Sequence, residues 1–181
     1  MQIFRISVAA AMSLVAAGCD ASSSVAAPTP LKEEYGLTIV GYNYTSRYIH
    51  SFSVDGQGGG NIHVSSATSG GGGSVCCASY FPSAKNTTVA VRWQASACRY
   101  IHSIHKNGEK EWAHHGFFKE REVPVMFRAD GEPAYLEVHI FPDEHVEAFV
   151  TSKLSKPRLL LKKDRANDSE YPRCPNDKEP E

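Results

Sequence analysis

The sequence lacks an excess of basic residues. Its 19 lysines and arginines are matched by 20 aspartates and glutamates, which gives a net charge of −1 at pH 7. Proteins that bind DNA or RNA neutralise phosphates with clustered lysine and arginine, and the sequence contains neither a basic patch nor an aromatic RNA-binding motif. The composition therefore argues against nucleic acid as a partner.

Familiar catalytic and phosphate-binding motifs are also missing. Residues 55–73, of which eight of nineteen are glycine, lack the Gly-Lys-Ser/Thr end of a Walker loop. Asn61 stands where a dinucleotide fingerprint needs its third glycine, and Gly73-Ser74-Val75 lacks the second glycine of a nucleophile elbow. We therefore expect a protein that is not an enzyme and needs no cofactor, with residues 55–73 forming a structural or mobile loop between strands.

No segment reaches the roughly 20 apolar residues that a transmembrane helix needs. A shorter apolar stretch, Ile6 to Ala17, follows Arg5 and ends in Leu14-Val15-Ala16-Ala17-Gly18-Cys19. This order is typical of a secretory signal, and its end resembles a bacterial lipobox, although Ala16 stands where an aliphatic residue is common. We predict a signal peptide over residues 1–18 and a lipid (diacylglyceryl and palmitate-type) anchor on Cys19. An ordinary secretory signal without lipidation is the alternative.

Cysteine is scarce, and the count of five is odd for an exported protein. Acylation of Cys19 leaves Cys76, Cys77, Cys98 and Cys174, an even set for an oxidising compartment. Neighbouring strand residues point to opposite faces, so Cys76 and Cys77 could feed two disulfides, to Cys98 and Cys174 in either order. A disulfide between the neighbours Cys76 and Cys77 is a further alternative. We predict structural disulfides, since a redox function would more naturally use Cys-x-x-Cys.

Composition divides the rest of the chain. Small, polar and proline residues predict a flexible stalk over 19–33, followed by a β-rich globular domain over 34–161. Charged residues and prolines predict a polar, partly disordered tail over 162–181, with the end beyond Cys174 disordered. The stalk would join the domain to the lipid.

Stretches rich in β-branched and aromatic residues alternate with turn signals such as Asp55-Gly56 and Asn107-Gly108. The predicted strands are Leu37–Thr45, Tyr48–Val54, Val75–Tyr80, Thr87–Gln94, Ile101–His105, Glu111–Lys119, Glu122–Phe127, Ala134–Phe141 and Val146–Thr151, with Leu159–Leu161 as an edge strand. Strands at this spacing without long helical periods predict a mainly β fold, an antiparallel β-sandwich or open barrel stabilised by disulfides.

Histidines flank the Asn107-Gly108 turn, as His102 and His105 on one side and His114 and His115 on the other. Strand alternation lets at most one of each pair share a face, and even with His139 the set falls short of the four ligands of a structural zinc site. We expect no metal, and keep a metal-binding protein built on this hairpin as an alternative.

Part of the chain resembles a known family. The segments concerned are Gly41–Thr45, Phe52–Gly56, Gly58–Asn61, Gly71–Cys77 and Val91–Trp93. They are similar to the domain of unknown function 3304, a family of small proteobacterial lipoproteins. The resemblance implies an envelope protein that faces the periplasm from the inner or outer membrane. The members' likeness to immunity lipoproteins encoded beside type VI secretion lipase effectors further implies a secreted lipase as protein partner.

We therefore predict a membrane-anchored binding module, an immunity protein that neutralises a secreted phospholipase. A structural or accessory envelope lipoprotein without a toxin partner is the main alternative. The aromatic segment Tyr42–Gly73 is one candidate contact surface, because tyrosines anchor interfaces well, and the histidine-bearing hairpin is the other.

Overall fold

The computed structural model describes residues 33–84, 87–159 and 171–181. The predicted signal peptide, Cys19 and nearly all of the predicted stalk lie outside the described residues, as does most of the predicted edge strand Leu159–Leu161; Leu159 itself lies in a bend. The prediction of a mainly β protein is confirmed, since the regular structure of the described residues consists of eight strands and one short 3-10 helix. Within these ranges no helix is long and apolar enough to cross a membrane.

The eight strands form a closed barrel. In chain order they are β1 (Tyr35–Asn43), β2 (Ile49–Val54), β3 (Gln57–Ile62), β4 (Gly71–Tyr80), β5 (Thr88–Ile104), β6 (Lys110–Phe127), β7 (Tyr135–Ile140) and β8 (Val146–Thr151). Around the barrel their order is β1-β4-β3-β2-β5-β6-β8-β7. The β1–β7 and β6–β8 pairs are parallel and the others antiparallel. The structure thus adds closure and two parallel pairs to the antiparallel, open arrangement that we expected.

Alternate residues of each strand fill the barrel. Leu37 and Ile39 of β1, Trp93 of β5, and Val138 and Ile140 of β7 are buried in one core. Each such side chain contributes about 1.5–3 kcal/mol when it leaves water, which gives the barrel its main stabilisation. The residues between them point outward, and the outer faces carry both candidate sites.

The glycine-rich stretch forms strands instead of the predicted loop. Gln57–Ile62 is β3, and Gly71 to Gly73 open β4. A Cβ on Gly72 would lie 2.6 Å from the carbonyl oxygen of Gly41, so β1 and β4 approach too closely here for any side chain. Gly71 has a φ of +90°, a backbone conformation that glycine adopts without strain.

Two strands are much longer than predicted, because each joins two of the expected short strands. β5 has 17 residues and β6 has 18, and they pair along most of their length. The register places β2 beside β5 at Val91–Trp93 and β8 beside β6 at Val125–Phe127. The rest of the β5–β6 hairpin extends past these neighbours to the predicted turn at Asn107-Gly108.

The two described segments after β8 lie on the outside of the barrel. Residues 152–159, which we call the strap, cross the outer face of β1 and β7. The end of the chain then lies along β5: the Arg99 N–H donates to the Pro172 carbonyl, and the Cys174 N–H donates to the Arg99 carbonyl, both at 2.8 Å. A 3-10 helix at Pro175–Asp177 follows, where we had expected disorder.

Candidate functional site

The four predicted disulfide cysteines form two pairs. Cys98 of β5 is bonded to Cys174, with 5.0 Å between their Cα atoms, and both are buried. Cys76 is bonded to its neighbour Cys77 on the exposed surface of β4. Of the pairings that the sequence left open, the structure therefore has the vicinal one, and Cys76 and Cys77 are not bonded to Cys98 and Cys174. The long-range disulfide holds the C-terminal segment on the hairpin.

The hairpin histidines are spread along two strands. No group of three or more histidine, cysteine, aspartate or glutamate side chains converges on a metal position among residues 33–84, 87–159 and 171–181. His139 lies on β7 in the barrel wall, away from the hairpin turn. The described residues thus give no support to a metal centre built on the hairpin.

A polar network, missed by the sequence analysis, is buried on the outer face of β1 and β7. It consists of Tyr42 and Tyr44 of β1 with Glu137 and His139 of β7, and we call it the buried polar network. Glu137 and His139 have 0% exposure. The rings of Tyr42 and His139 stack with centres 4.2 Å apart, because parallel pairing sets these two residues side by side.

Hydrogen bonds run through the buried polar network in one direction. The Arg158 N–H donates to the Tyr44 oxygen at 2.8 Å, and the Tyr44 hydroxyl lies 2.8 Å from Nδ1 of His139. Donation from Tyr44 to Nδ1 leaves the proton of a neutral imidazole on Nε2, which faces Glu137 Oε2 at 3.5 Å. That distance exceeds an ordinary hydrogen bond. The set resembles a Tyr-His-Glu proton relay.

The strap closes this network from solvent. The Ser155 N–H donates to Glu137 Oε1 at 2.7 Å, and the Tyr42 hydroxyl donates to the Ser155 carbonyl at 2.7 Å. The Arg158 guanidinium pairs with Glu147 of β8 and lies 4.8 Å from the ring centre of Phe149. Backbone and side chain of the strap therefore both bind the outer face of the barrel.

Burial and hydrogen bonding set the charges in the network. Burial raises the pKa of Glu137, but the nearby His139 imidazole and the hydrogen bond from Ser155 outweigh it, and the pKa falls below its ordinary value. Burial lowers the pKa of His139, against the opposing influence of Glu137. At neutral pH the pair is thus a carboxylate beside a neutral imidazole. Burial and the charge of Glu137 raise the pKa of Tyr42, which therefore stays protonated and able to donate.

The arrangement can stabilise the fold, but a substrate cannot reach it in this structure. A general acid or base has to lie within hydrogen-bond reach of the reacting group, but Glu137 and His139 have no exposed surface and the strap binds over them. The sequence feature that could have revealed this network is Glu137-x-His139 within an apolar strand, since period-two spacing places both side chains on one face.

The second candidate site is the outer surface of the β5–β6 hairpin beside β2. We call it the hairpin face and define it by His50, Trp112, His114, Phe118 and Tyr171. His50, His114 and Phe118 contribute to the lining of an open cleft of about 420 Å³. Phe118 is 40% exposed, a large fraction for a phenylalanine on a strand.

Arginines lie over the aromatic rings of the hairpin face. The guanidinium carbon of Arg92 is 4.0 Å from the ring centre of Phe118. Arg99 and Arg173 lie 5.3 Å and 5.1 Å from the ring centre of Trp112. These distances are within the range of cation–π attraction, which holds the side chains in place before any partner arrives.

The C-terminal segment completes this surface. The ring centre of Tyr171 is 5.3 Å from that of His114, and Arg47 lies 5.7 Å from the Tyr171 ring. The disulfide of Cys174, three residues further on, fixes Tyr171 at this position. A residue far along the chain thus joins a face formed by β2, β5 and β6.

The two contact surfaces that the sequence suggested differ in the exposure of their aromatic residues. Tyr42, Tyr44 and Phe52, the aromatic residues that made Tyr42–Gly73 attractive, are all buried. Within that segment Tyr48 is at least partly exposed, and it lies beside His50 with ring centres 5.2 Å apart. Of the two surfaces, the hairpin face therefore has the more exposed aromatic rings.

Fold and site together define a closed, mixed β-barrel protein with a buried polar network under its own chain and an uncovered aromatic hairpin. The model of the family described as "Protein of unknown function (DUF3304)" matches residues 42–148, which is more than half of the 181 residues. The chain belongs to this family, and the match includes the whole hairpin and all four residues of the buried polar network. Comparison with curated proteins and with solved structures gives no match.

Proposed function

We propose that this chain is a lipid-anchored periplasmic lipoprotein that works by binding a protein partner through its hairpin face. The more specific proposal is that it is an immunity protein, which holds a type VI secretion phospholipase and keeps it from the cell's own membranes. The lipobox-like sequence before Cys19 supports the anchor, and the family's likeness to immunity lipoproteins supports the partner.

The observation that carries the binding role is the composition of the hairpin face. Tryptophan, tyrosine and arginine dominate the residues that contribute most to protein interfaces, and here they lie together on an accessible surface. Cation–π contacts and the Cys98–Cys174 disulfide order the surface in advance, which lowers the entropy cost of binding.

The charge of the hairpin face indicates what its partner presents. Arg47, Arg92, Arg99 and Arg173 surround the aromatic rings. Of these, Arg173 lies 3.4 Å from Asp177, and the register sets Arg92 opposite Glu120. Because four arginines line this surface, we expect an acidic partner surface and an association that slows at high salt.

Binding also explains the molecule better than catalysis does. The residues with the most catalytic character, Glu137 and His139, have no exposed surface and are covered by the strap. The hairpin face has rings, guanidinium groups and a cleft, but no nucleophile held beside a general base.

The test is a survival assay with the product of the gene adjacent to this one. That product is directed to the periplasm, and growth is scored without this protein, with it, and with its Cys19→Ser variant. We expect growth to stop without the protein and to recover with it, because the complex blocks the lipase. Purified proteins should also form a complex in calorimetry.

Two further variants separate the parts of the proposal. Trp112→Ala should abolish rescue if the hairpin face binds the toxin, whereas Phe117→Ser, at an exposed ring on the other side of β6, should keep it. Failure of Cys19→Ser alone would show that anchoring matters. If the product of the adjacent gene is not toxic, or if this protein does not relieve its toxicity, the immunity role is refuted. Either result would favour an accessory lipoprotein.

A further inference from the structure

One end of the barrel carries exposed apolar side chains that the binding role does not use. Phe81 is 46% exposed and Phe127 is 54% exposed, and Met126 beside them is also exposed. The Tyr80 ring stacks on Phe127 with ring centres 6.0 Å apart. We call these four residues the β1 rim. Exposed aromatic side chains grouped in this way are typical of surfaces that meet another apolar phase.

The β1 rim lies where the described chain enters the barrel. Tyr35, the first residue of β1, pairs with Tyr80, the last residue of β4. Phe81 follows Tyr80 directly, and Phe127 is the last residue of β6. The rim is therefore the exposed apolar surface nearest to Glu33, the first described residue.

Chain length connects this end to the proposed anchor. Glu33 follows Cys19 by 14 residues. At about 3.3–3.6 Å per residue, no conformation of that segment can place Glu33 farther than roughly 50 Å from an acylated Cys19. The lipid surface is thus held at high effective concentration near the rim, so that even weak contacts would be occupied.

The hairpin turn lies at the other end of β6. From Lys110 beside the turn to Phe127 at the rim, the strand covers 17 residue steps. At about 3.3 Å per step, the turn is roughly 50 Å from the rim. A barrel that stood on the membrane by its β1 rim would therefore direct the hairpin away from the lipid.

The charges near the rim indicate how it would contact lipid. Glu33 and Glu34 precede β1 and Arg128 follows β6, while Lys153 lies 3.9 Å from Asp130. Within the part of the chain that the structure describes, these charges are mixed in sign and give no cationic surplus for anionic headgroups. Aromatic rings, by contrast, partition to the boundary between headgroups and acyl chains.

We propose that the β1 rim inserts its aromatic side chains into the interfacial layer of a phospholipid bilayer, so that the barrel stands on the membrane with the hairpin face held away from it. The occupant is the lipid surface itself, bound through apolar contact and not through headgroup charge. This proposal rests on the lipid anchor of the proposed function, which supplies the nearby membrane.

The test uses the chain from Asp20 to Glu181, without Cys19, and flotation with phosphatidylcholine vesicles. Acylation plays no part in this assay, so its result is separate from the anchor proposal. We expect the wild-type chain to float. The double variant Phe81→Ser/Phe127→Ser should bind the vesicles at least about 10-fold more weakly, since it lacks the two rings that leave water on insertion. Phe117→Ser, at a ring of β6 that is 42% exposed and lies outside the rim, should float like the wild type.

Each other outcome contradicts the proposal. Wild-type protein that stays with the aqueous fraction, or a rim variant that floats equally well, shows that the rim does not bind lipid. Binding that requires phosphatidylglycerol and disappears in high salt shows an electrostatic surface instead. A dimer in sedimentation that Phe127→Ser dissociates shows that a second copy covers the rim. Circular dichroism of all variants checks that they are folded.

Discussion

The outer face of β1, β7 and β8 and the hairpin face are built from the same kinds of residue: tyrosine, histidine, phenylalanine and arginine. On the first face His139 and Glu137 have no exposed surface, because the strap binds over them. On the second, Phe118 is 40% exposed and its arginine lies over the ring without covering it. Residue type alone therefore does not mark a binding site.

The comparison teaches that coverage by the chain's own backbone separates structural from functional clusters here. The strap donates two N–H groups to the first face and accepts one hydroxyl, as a bound peptide would. On the hairpin face the C-terminal segment bonds to the β5 backbone at Arg99, but it leaves His50, His114 and Phe118 exposed. We therefore expect substitutions on the first face to change stability and substitutions on the second to change binding.

The largest expected effect is at Phe149, which packs under the strap against His139 with ring centres 5.3 Å apart. Phe149→Ala should lower the free energy of unfolding by about 3–5 kcal/mol, because it leaves a cavity and removes the ring below Arg128 and Arg158. Urea denaturation measures this. Phe118→Ala on the hairpin face is the matched control, with an expected change within about 0.5 kcal/mol. Equal losses in the two variants would abolish the distinction between the faces.

The two disulfides give the next largest effect. Cys98 and Cys174 are 76 positions apart, so their bond restricts a long stretch of the unfolded chain. Replacing both by serine should cost about 2–4 kcal/mol and release Tyr171 from the hairpin face. The control is the double serine variant of Cys76 and Cys77, whose bond between neighbours closes almost no chain. Thermal unfolding of both variants should show a large shift for the first pair and a small one for the second.

On the hairpin face the effect should appear in affinity alone. Phe118→Ala should weaken the complex with the product of the adjacent gene by about 1–2 kcal/mol, as truncation of an interface anchor does. Calorimetry measures this affinity. The same measurement on Phe149→Ala, at a temperature where that variant is folded, should show wild-type affinity. If Phe118→Ala binds with unchanged affinity, the interface does not lie on this face.

The smallest effect is the dependence of stability on pH. The pKa of His139 is lowered in the folded protein, so its contribution is complete above its ordinary value of 6.5 and decreases as the pH falls below it. The free energy of unfolding should fall between pH 7.5 and 5.5, by less than about 1.4 kcal/mol per pH unit from this group. His139→Gln should flatten this slope. If the variant keeps the same dependence of unfolding free energy on pH, a group other than His139 causes it.

The lowered pKa of Glu137 acts in the same direction at more acidic pH. Its contribution is complete above the ordinary value of 4.5 and is lost as the pH falls through the folded pKa. The loss therefore begins below the window in which His139 is tested, and the two residues can be measured separately.

Local patterns predicted much of the fold. Alternation identified β8 to the residue and the cores of β1, β2 and β7, and Asn107-Gly108 marked the hairpin turn. Closure and the parallel β1–β7 pair depend on contacts about 100 residues apart along the chain, which no local window contains. β3 was missed because its glycines predicted a loop, although a Cβ on Gly59 would lie 2.2 Å from the Phe52 ring.

The candidate site was less accessible to sequence reasoning. The hairpin was recognised by its turn and its histidines, but Tyr171 and Arg173 reach it only through the Cys98–Cys174 bond, whose partners the sequence left open. Glu137 and His139 share a face by period-two spacing. Their burial depends on the strap, which carries no recognisable motif.

The Cys98–Cys174 bond also makes a covalent ring of everything between these two residues. That ring contains the last seven residues of β5, all of β6 to β8, and the strap. A protease that cuts the backbone once inside it produces two chains that stay joined by the disulfide. While the surroundings remain oxidising, a single nick therefore releases no fragment, and the barrel wall, the strap and the hairpin stay in one molecule.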